Sequence, residues 1–452
     1  MSCSRMIESV VNNGLCIGCG LCVTQCSSNA IKMKVNKNGF YVASVDNRCT
    51  CGGKCISVCP FNPEPSASLR TEHEISAIFL NEAPNFNKKI GRYISTYAGY
   101  SIKNRLSSSS GGIATYILSE LLARGEIQHV ISVKGSDTHY EYAISNNIEE
   151  LQTTAKTKYY PVTLNSVFDK LQELDGNVAI VGVACFIKAI RLAQANDLKL
   201  KQKIKFLVGI ICGGIKSSFF AEYLASKVGV DVDEYSEPEF RIKDINSTAS
   251  DYSFGCLDKF KNQKTIKMRT VGDMWGTGLF KANACDYCDD VTAELADVSL
   301  GDAWLEPFSN DGRGTNVIVT RSLLAEKIIQ DGIEKDDLNI EKLSEDRFIV
   351  SQQGSFNHRH DGLGFRIERS KKKGIPIPPK RFTDIKISPL IKIIQIMRMR
   401  TRYKSLEVWG ETRNAVSFDN KMERDLYWLK AVTKINHYHR AVIKRIRKAF
   451  IK

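Results

Sequence analysis

Residues 16–26 read CIGCGLCVTQC, so that four cysteines follow one another as Cys-x2-Cys-x2-Cys-x3-Cys. Thiolates spaced two residues apart on one tight loop can occupy three corners of an iron–sulfur cubane. Gly18 and Gly20 stand between them, where a residue without Cβ lets the backbone approach the cluster closely. The stretch therefore predicts a [4Fe-4S] site in a small domain of its own.

A second cysteine set follows and is closed by Pro60. Two sets in this order are the arrangement of bacterial ferredoxins, in which the last cysteine of each set binds the cluster of the other. The predicted ligands of one [4Fe-4S] cluster are Cys16, Cys19, Cys22 and Cys59. The predicted ligands of the second cluster are Cys26, Cys49, Cys51 and Cys55.

Cys51 departs from the regular spacing, because Gly52 occupies the expected middle position. Either the loop, which Gly52 and Gly53 make adaptable, brings Cys51 to the cluster, or that cluster has three cysteine ligands. We favour ligation by Cys51. Paired CxxC motifs also bind zinc, which is the alternative to an iron–sulfur site. Between the sets, residues 31–35 and 41–45 alternate apolar and polar side chains and predict two short strands.

The chain has 452 residues, enough for two or three domains. Its net charge of +14 is localised, since residues 371–452 contain 22 Lys and Arg against 6 Asp and Glu, and residues 1–370 carry a net charge of −2. We find no secretory signal and no apolar stretch of about 18 residues. We expect a soluble, cytoplasmic protein whose cysteines are metal ligands rather than disulfides.

Beyond residue 95 strand-like and helix-like segments alternate, which predicts a mixed α/β body. Cys185 and Cys212 each follow an apolar strand, and the ACDYC motif at residues 284–288 supplies two more thiols. From the residues alone, these four cysteines are either ligands of a third cluster or buried structural cysteines. Cys3 and Cys256 remain as unpaired thiols.

A serine- and glycine-rich loop, SSSSGG at residues 107–112, directly precedes an apolar helical pattern at residues 113–123. Free backbone amides and the positive end of a helix dipole suit a phosphate or pyrophosphate group. A loop that only caps the helix is the alternative interpretation.

Several segments together resemble the coenzyme F420 hydrogenase/dehydrogenase beta subunit family. They occur in the family's order over about residues 95–325. The matching segments are SSSSGGIATYIL (107–118), TKYYP (157–161), VAIVGVACFIKAIR (178–191), FLVGIICGGIKS (206–217), ACDYC (284–288), ADVSLGDAW (296–304) and GRGTNVIVT (312–320).

The resemblance implies an FAD- and [4Fe-4S]-containing protein. It implies FAD contacts at Ser109, Ser110, Gly111, Gly112, Lys158 and Tyr159. It also implies a third [4Fe-4S] cluster on Cys185, Cys212, Cys285 and Cys288. VAC at residues 183–185 replaces the family's more usual TPC, and CGG at residues 212–214 replaces CHG. Both replacements keep the cysteine ligands, but they leave the identity of the substrate undetermined.

Two further motifs are candidates for the active site. Asp302 and Trp304 end an apolar strand, where they either face the flavin or a cluster, or form a turn with a core tryptophan. His358 and His360 offer a proton donor, although we expect such a pair to lie in a solvated loop. No nucleotide-binding P-loop, HExxH motif or nucleophile elbow is present in the sequence.

The predicted fold class is α+β and multidomain. We expect a 2[4Fe-4S] ferredoxin domain at residues 1–62, a linker at 63–94, the family's N-terminal part at 95–175, its C-terminal part at 176–365, and a basic helical tail at 366–452. Amphipathic basic patterns in the tail predict either binding to an anionic membrane surface or an acidic partner, or packing on the body.

The predicted function is that of an oxidoreductase passing electrons between clusters, FAD and an organic acceptor. The acceptor is coenzyme F420, or a small or glycan-linked molecule, for example in surface-polysaccharide biosynthesis. The partner is a low-potential electron donor or acceptor, such as a ferredoxin-like protein or another subunit. The alternative is an electron-transfer subunit without a substrate of its own. Nucleic-acid binding, which only the basic tail suggests, is not expected.

Overall fold

The computed structural model describes residues 5–50, 52–137 and 139–450, with side chains up to residue 442. Cys3 and Cys51 therefore lie outside the described residues, as do the side chains of the last basic residues. The strands are β1 (Ile31–Val35), β2 (Tyr41–Val45), β3 (Asn85–Asn87), β4 (Gly91–Tyr93), β5 (Ser95–Ser101), β6 (His129–Gly135), β7 (Tyr140–Ser145), β8 (Val178–Val183), β9 (Ile204–Ile210), β10 (Ser236–Ile242), β11 (Ser253–Leu257), β12 (Gln263–Lys267), β13 (Val298–Asp302), β14 (Asn316–Thr320) and β15 (Leu338–Lys342).

The helices concentrate around the central sheet and at the C-terminal end. They are α1 (Leu21–Thr24), α2 (Lys54–Ser57), α3 (Glu72–Phe79), α4 (Ile113–Ala123), α5 (Ile148–Thr153), α6 (Asn165–Lys170), α7 (Ala184–Asn196), α8 (Leu198–Lys203), α9 (Phe219–Lys227), α10 (Met268–Val271), α11 (Leu323–Glu334), α12 (Glu345–Ser351), α13 (Gln353–Phe356), α14 (Leu363–Lys371), α15 (Pro389–Thr412) and α16 (Ala415–Phe450).

The N-terminal unit has two-fold character. Strands β1 and β2 pair antiparallel, with Ile31 opposite Val45, which confirms the two predicted strands. The short helices α1 and α2 each begin after a glycine with positive φ, Gly20 and Gly53. Such backbone angles are readily adopted only by glycine, so each cysteine loop can turn sharply into its helix.

Residues 63–94, expected as a linker, contain helix α3 and the β3–β4 hairpin. A capping box begins α3, because Thr71 accepts a hydrogen bond from the His73 amide and the Glu74 carboxylate accepts one from the Thr71 amide. On α3, Glu72 is buried against Lys188 of α7. This segment therefore packs on the body of the protein.

A large mixed sheet forms the centre of the body, in the order β15-β5-β14-β13-β9-β8-β6-β7. Its middle strands β13, β9, β8 and β6 are parallel, and antiparallel strands complete both sides. Strands from both sides of residue 175 form this single sheet. The mixed sheet, ferredoxin-like N-terminal unit and helical C-terminal part confirm the predicted mixture of α and β structure.

Parallel β8 and β9 explain why two distant cysteines meet. Both strands are almost entirely buried, as expected for central strands covered on both faces. The chain leaves β8 directly into α7 and leaves β9 into a loop, at the same edge of the sheet. Side chains at the carboxyl ends of parallel strands converge there, which places Cys185 and Cys212 together.

The C-terminal helices α15 and α16 form a helical hairpin whose first part packs on the body. Trp409 is fully buried between the rings of Tyr223, Phe280 and Phe418. Its indole N–H donates to the Glu222 carboxylate at 2.9 Å. For α15 and the start of α16, the structure therefore shows packing on the body. Within the described residues, no helix is long and apolar enough to cross a membrane.

Candidate functional site

Cys16, Cys19, Cys22 and Cys59 are gathered in the N-terminal unit. Burial raises the pKa of Cys22 well above its usual range, and the charges of Cys19, Cys16 and Cys59 raise it further. The same repulsion from Cys19 and Cys16 adds to burial in raising the pKa of Cys59. Because such effects require proximity, the last cysteine of the second set lies with the first three of the first set.

The second group brings Cys26 to Cys49 and Cys55. Burial raises the pKa of Cys55, and the charges of Cys26 and Cys49 add to the increase. Cys26 itself has a lowered pKa, because hydrogen bonds from Ser28 and Ala30 to its sulfur outweigh its slight burial. The described members of each predicted ligand set therefore lie together, while their binding of clusters stays a prediction. The expected ligation by Cys51 stays a prediction, since Cys51 lies outside the described residues.

The loop of the first group is shaped by its two glycines. Gly18 has φ +77°, and a Cβ there would lie 2.9 Å from the Tyr41 carbonyl oxygen. Gly20 has φ +82°, and a Cβ there would lie 2.3 Å from Thr163 Oγ1. Thr163 belongs to the central body, so the absence of a side chain at Gly20 also lets the cysteine loop lie close to that body.

A separate cavity lies at the carboxyl ends of β8 and β9. Its wall contains four of the body's cysteines and six further residues: Ile17, Phe61, Val183, Ala184, Cys185, Cys212, Ile215, Cys285, Cys288 and Arg359. The structure therefore places the four central cysteines around one space.

Hydrogen-bond donors surround these thiols. The Gly214 amide donates to Cys212 Sγ and the Ile215 amide to Cys285 Sγ, each at 3.2 Å. Burial raises the pKa of Cys185 well above its usual range, and the charges of Cys288, Cys285 and Cys212 raise it further. Four clustered thiols, of which Cys285 is buried and the other three are half-buried, are costly as free thiolates, and a bound cationic group would remove that cost.

The donor set fits an iron–sulfur cluster. Thiolates are the usual ligands of [4Fe-4S] clusters, and amide hydrogen bonds to sulfur are a known means by which proteins tune them. Among the described residues, no three His, Cys, Asp or Glu side chains are placed to hold a single metal ion. A cubane distributes its thiolates over four irons, so its ligands stand farther apart than those of one ion.

The cavity also borders the N-terminal unit. Ile17 follows Cys16 directly and Phe61 follows Cys59 by two residues, and both line the cavity. The charge of Cys19 contributes to the raised pKa of Cys185, after burial and the other central thiols. The first N-terminal cysteine group and the central group are therefore neighbours, separated by a few apolar side chains.

The serine and glycine loop lies against β14. Ser109 Oγ accepts a hydrogen bond from the Thr157 amide at 2.8 Å, and Ser110 Oγ donates to the Thr315 carbonyl at 3.0 Å. Gly112 has φ +80° and begins α4 without a side-chain cap. A Cβ on Gly111 would lie 2.6 Å from the Gly99 carbonyl. The loop is therefore fixed closely to the sheet, with the start of α4 behind it.

The same loop contains an orphaned polar atom. Ser108 Oγ is buried and has no hydrogen-bond partner in the structure. A buried hydroxyl without a partner costs free energy unless a ligand or water satisfies it. The observation agrees with a polar group bound at the loop and fits the phosphate contact expected there.

Lys158 and Tyr159 lie near one another beside this loop. The Lys158 ammonium donates to the Thr154 and Ala155 carbonyls, and burial lowers its pKa to about 7. The Tyr159 ring contacts Trp275 edge to face at 4.8 Å, and burial raises its pKa. Together they offer a cation and an aromatic wall.

Arg241 and Lys216 complete this region and were not found from the sequence. Arg241 pairs with Asp302 at 2.6 Å, while its Nε is buried without a partner. Lys216 donates to the Met274 and Leu279 carbonyls and lies 4.4 Å from the Trp275 ring centre. Isolated basic residues in strand or loop segments carry no spacing signal.

Two expectations about other motifs are corrected. Trp304 is 40% exposed and is not a core tryptophan, since the chain turns outward after β13. His358 is half-buried, with its Nε2 3.0 Å from Lys281 Nζ, and His360 is buried, so the pair lies in a packed turn and not in a solvated loop. His360 stacks on Phe382 at 3.5 Å between ring centres, and its Nε2 contacts the Asp289 carbonyl oxygen. Phe382, from the C-terminal segment that follows α14, therefore shields His360 from solvent.

Comparison with known proteins identifies three matching segments. Residues 15–62 match a 4Fe-4S dicluster domain. Residues 96–169 match the N-terminal part of the coenzyme F420 hydrogenase/dehydrogenase beta subunit, and residues 175–346 match its C-terminal part. These ranges contain the N-terminal cysteine groups, the serine and glycine loop, and the central cysteines.

Several curated proteins are similar. An F(420)H(2) dehydrogenase subunit of Methanosarcina mazei is 22% identical over 67% of this chain and 81% of its own length. The coenzyme F420-dependent sulfite reductase of Methanocaldococcus jannaschii is 24% identical over 75% of this chain, which spans about half (49%) of that protein. The coenzyme F420 hydrogenase subunit beta of Methanococcus voltae is 27% identical over 49% of this chain and 77% of its own length.

The fold also resembles a solved structure. One chain of the F420-reducing [NiFe] hydrogenase complex from Methanosarcina barkeri superposes with a TM-score of 0.50 at 19% identity, over 66% of this chain and 98% of that chain. At this identity the likeness concerns the fold. With its two matched parts and its N-terminal 4Fe-4S dicluster domain, the chain belongs to the coenzyme F420 hydrogenase/dehydrogenase beta subunit family.

Proposed function

We propose that the chain is an oxidoreductase that depends on FAD and iron–sulfur clusters and exchanges electrons with an organic acceptor. The observation that carries the proposal is the shared wall of the central cavity. Ile17 and Phe61, neighbours of N-terminal cysteines, line the same space as the central cysteines. This supports a continuous path for electrons, because carriers must be close together for transfer between them.

The proposed ligands follow the three cysteine groups. Cys16, Cys19, Cys22 and Cys59 would hold one [4Fe-4S] cluster, Cys26, Cys49, Cys51 and Cys55 a second, and Cys185, Cys212, Cys285 and Cys288 a third. Clusters carry electrons singly, whereas a flavin accepts two and can release them one at a time. The chain's own part is to hold these thiolates, keep water away from them, and donate amide hydrogen bonds to their sulfurs.

The proposed FAD contacts are those implied by the resemblance: Ser109, Ser110, Gly111, Gly112, Lys158 and Tyr159. The orphaned Ser108 Oγ and Arg241 Nε support a polar ligand in this region. The positive end of α4 and the Lys158 ammonium suit a pyrophosphate. Tyr159 and Trp275 would offer an apolar wall to a ring system.

The proposed acceptor is coenzyme F420 or a related small molecule. Three of the similar proteins carry F420 in their names. A glycan-linked acceptor, as in polysaccharide biosynthesis, stays a prediction. Anaerobically purified chain should show a flavin spectrum and should oxidise or reduce F420 with a one-electron dye as partner. Absence of flavin from the purified chain would contradict the proposal. A chain that contains flavin but does not react with F420 would exclude only F420 as the acceptor.

A second candidate is an electron-transfer subunit without a substrate of its own. Two relatives are named as subunits, and the similar structure is part of a complex. The partner would then be a low-potential redox protein or a catalytic subunit. The isolated chain would take up electrons from dithionite but would turn over no small molecule until that partner is added.

The tail is proposed to hold the protein at an anionic membrane surface. Its exposed large side chains on α16 include Trp428, Ile435, Tyr438 and Val442, which are 53–63% exposed and fall on one helical face. Residues 426–452 contain eight Lys and Arg and no Asp or Glu. Aromatic and apolar side chains combined with uncompensated positive charge are typical of helices that bind anionic bilayers.

A further inference from the structure

Arg359 lies against the central cysteine cavity although it follows the family's matched region, which ends at residue 346. It belongs to a buried turn at residues 357–361 and is 4% exposed. Its guanidinium Nη1 donates to Cys288 Sγ at 3.2 Å and to the Asp290 carbonyl at 2.8 Å, and its Nη2 donates to the Cys212 carbonyl. One side chain therefore joins the segments that carry two of the four thiols.

Arg359 forms no salt bridge with a carboxylate of the described residues. Salt bridges in the described part of the chain pair the nearby basic residues Lys188, Lys380 and Arg381 with carboxylates, but none of them includes Arg359. Burial opposes its charge, yet the thiolates of Cys288 and Cys212 raise its pKa above the usual range. The counter-charges of this buried guanidinium are thus the cysteine thiolates first, with a smaller contribution from the Asp290 carboxylate.

The position of the Arg359 guanidinium stabilises the reduced form of a cluster bound by these cysteines. Each added electron increases the negative charge on the irons and sulfurs, and a buried cation bonded to a ligand sulfur stabilises that charge. Hydrogen bonds to cluster sulfurs and net local charge are the levers by which proteins set reduction potentials. The guanidinium remains charged at all ordinary pH values, so its effect is permanent.

We propose that Arg359 is a positioning residue that raises the reduction potential of the cluster held by Cys185, Cys212, Cys285 and Cys288. The inference rests on the third cluster of the proposed function. It makes this cluster the favoured site for an electron arriving from the N-terminal unit, next to the region proposed for FAD.

The test is an anaerobic dithionite titration of the full chain followed by electron paramagnetic resonance. The third cluster's signal is the one that Cys285→Ser removes. Arg359→Gln, which keeps an N–H donor but loses the charge, should shift the midpoint potential of that signal downwards and leave the two others unchanged. Arg359→Lys keeps the charge but loses the paired N–H donors of the guanidinium. It should therefore cause a smaller downward shift.

Arg366→Gln is the matched control. Arg366 is also fully buried, but its guanidinium donates only to oxygen atoms, of Asp286, His358 and Gln395. Its replacement should leave the third potential close to that of the unmodified chain. An equal shift in this control would mean that any buried charge acts alike, which would contradict a specific role of Arg359.

The two hypotheses fail in different ways. If Cys285→Ser removes no signal and no iron, the third cluster itself is absent. If the cluster is present and both Arg359 variants titrate at the unmodified potential, only the role of Arg359 is contradicted. Loss of the cluster from both variants, with normal circular dichroism and full N-terminal signals, would make Arg359 a structural support and would also contradict the inference.

Discussion

Glu72 on α3 and Lys188 on α7 form a buried ion pair, with Nζ and Oε1 3.0 Å apart and both side chains at most 6% exposed. The pair joins the segment that follows the N-terminal cysteines to the helix that begins beside Cys185. Glu72 keeps a lowered pKa, because the attraction of Lys188 and Arg381 overcomes the effect of burial. The contact fixes the segment that follows the N-terminal unit against helix α7 of the body.

Glu72→Gln should destabilise the protein by about 3–5 kcal/mol, because it leaves the Lys188 ammonium buried without its carboxylate. The free energy of unfolding in urea, measured anaerobically, tests this. Glu368→Gln is the control, since Glu368 and its partner Lys372 are 62% and 73% exposed. Loss of that solvent-exposed pair should leave the free energy of unfolding nearly unchanged, because exposed ion pairs contribute little. Equal effects of the two variants would contradict a special role for the Glu72 pair.

Trp409→Ala should cost about 3–5 kcal/mol, because it removes a fully buried indole from between three aromatic rings. Trp428→Ala, on the exposed face of α16, should change the free energy of unfolding by less than about 0.5 kcal/mol. Urea unfolding followed by far-ultraviolet circular dichroism compares the two. A small effect of Trp409→Ala would mean that α15 does not pack on the body.

Trp428→Ala should instead weaken membrane binding. Flotation with vesicles rich in phosphatidylserine should recover the unmodified chain at low salt and release it at high salt, as expected for a cationic surface. Replacing Trp428 should reduce recovery several-fold, whereas Trp409→Phe should not. Absence of flotation at low salt, or equal flotation with uncharged vesicles, would contradict the proposed role of the tail.

Flavin retention should depend on the charge of Lys158. Burial lowers the Lys158 pKa to about 7, so the ammonium that attracts a pyrophosphate is present below that pH and lost above it. The dissociation constant of FAD, measured by flavin fluorescence, should therefore rise as the pH increases from 6 to 8.5. Lys158→Met should bind FAD more weakly at pH 6 and remove most of the pH dependence.

Lys103→Met is the control for this experiment, because Lys103 is an exposed residue near the same loop. It should retain the pH dependence, and iron content should be unchanged in both variants. A dissociation constant that stays flat between pH 6 and 8.5 in the unmodified chain would show that Lys158 does not face the flavin phosphates.

Local patterns in the sequence predicted the parts of the structure that depend on local chemistry. Cysteine spacing predicted the crossed N-terminal groups, since the loop geometry follows from a few adjacent residues. Apolar runs predicted β8 and β9, and their parallel pairing brought Cys185 and Cys212 to one edge. The two cysteines of the ACDYC motif lie at the same edge, although the sequence did not show that this motif packs there.

Other features depended on contacts between distant segments. Arg359 lies 71 residues from Cys288, its thiol partner, and nothing in its local sequence indicates burial. Trp304 stands at the end of a strand, where the turn directs it outward against the expectation from its hydrophobicity. The packing of α15 likewise depends on an aromatic cluster assembled from α9, the loop after α10 and the tail.

The central claim is that Cys185, Cys212, Cys285 and Cys288 hold a third cluster. We expect about twelve irons in the anaerobically reconstituted chain and about eight in Cys285→Ser, at four irons for each cluster. Cys256→Ser is the control, because Cys256 is buried in β11 outside the three cysteine groups. It should keep about twelve irons. Equal iron contents in Cys285→Ser and the unmodified chain would contradict the claim.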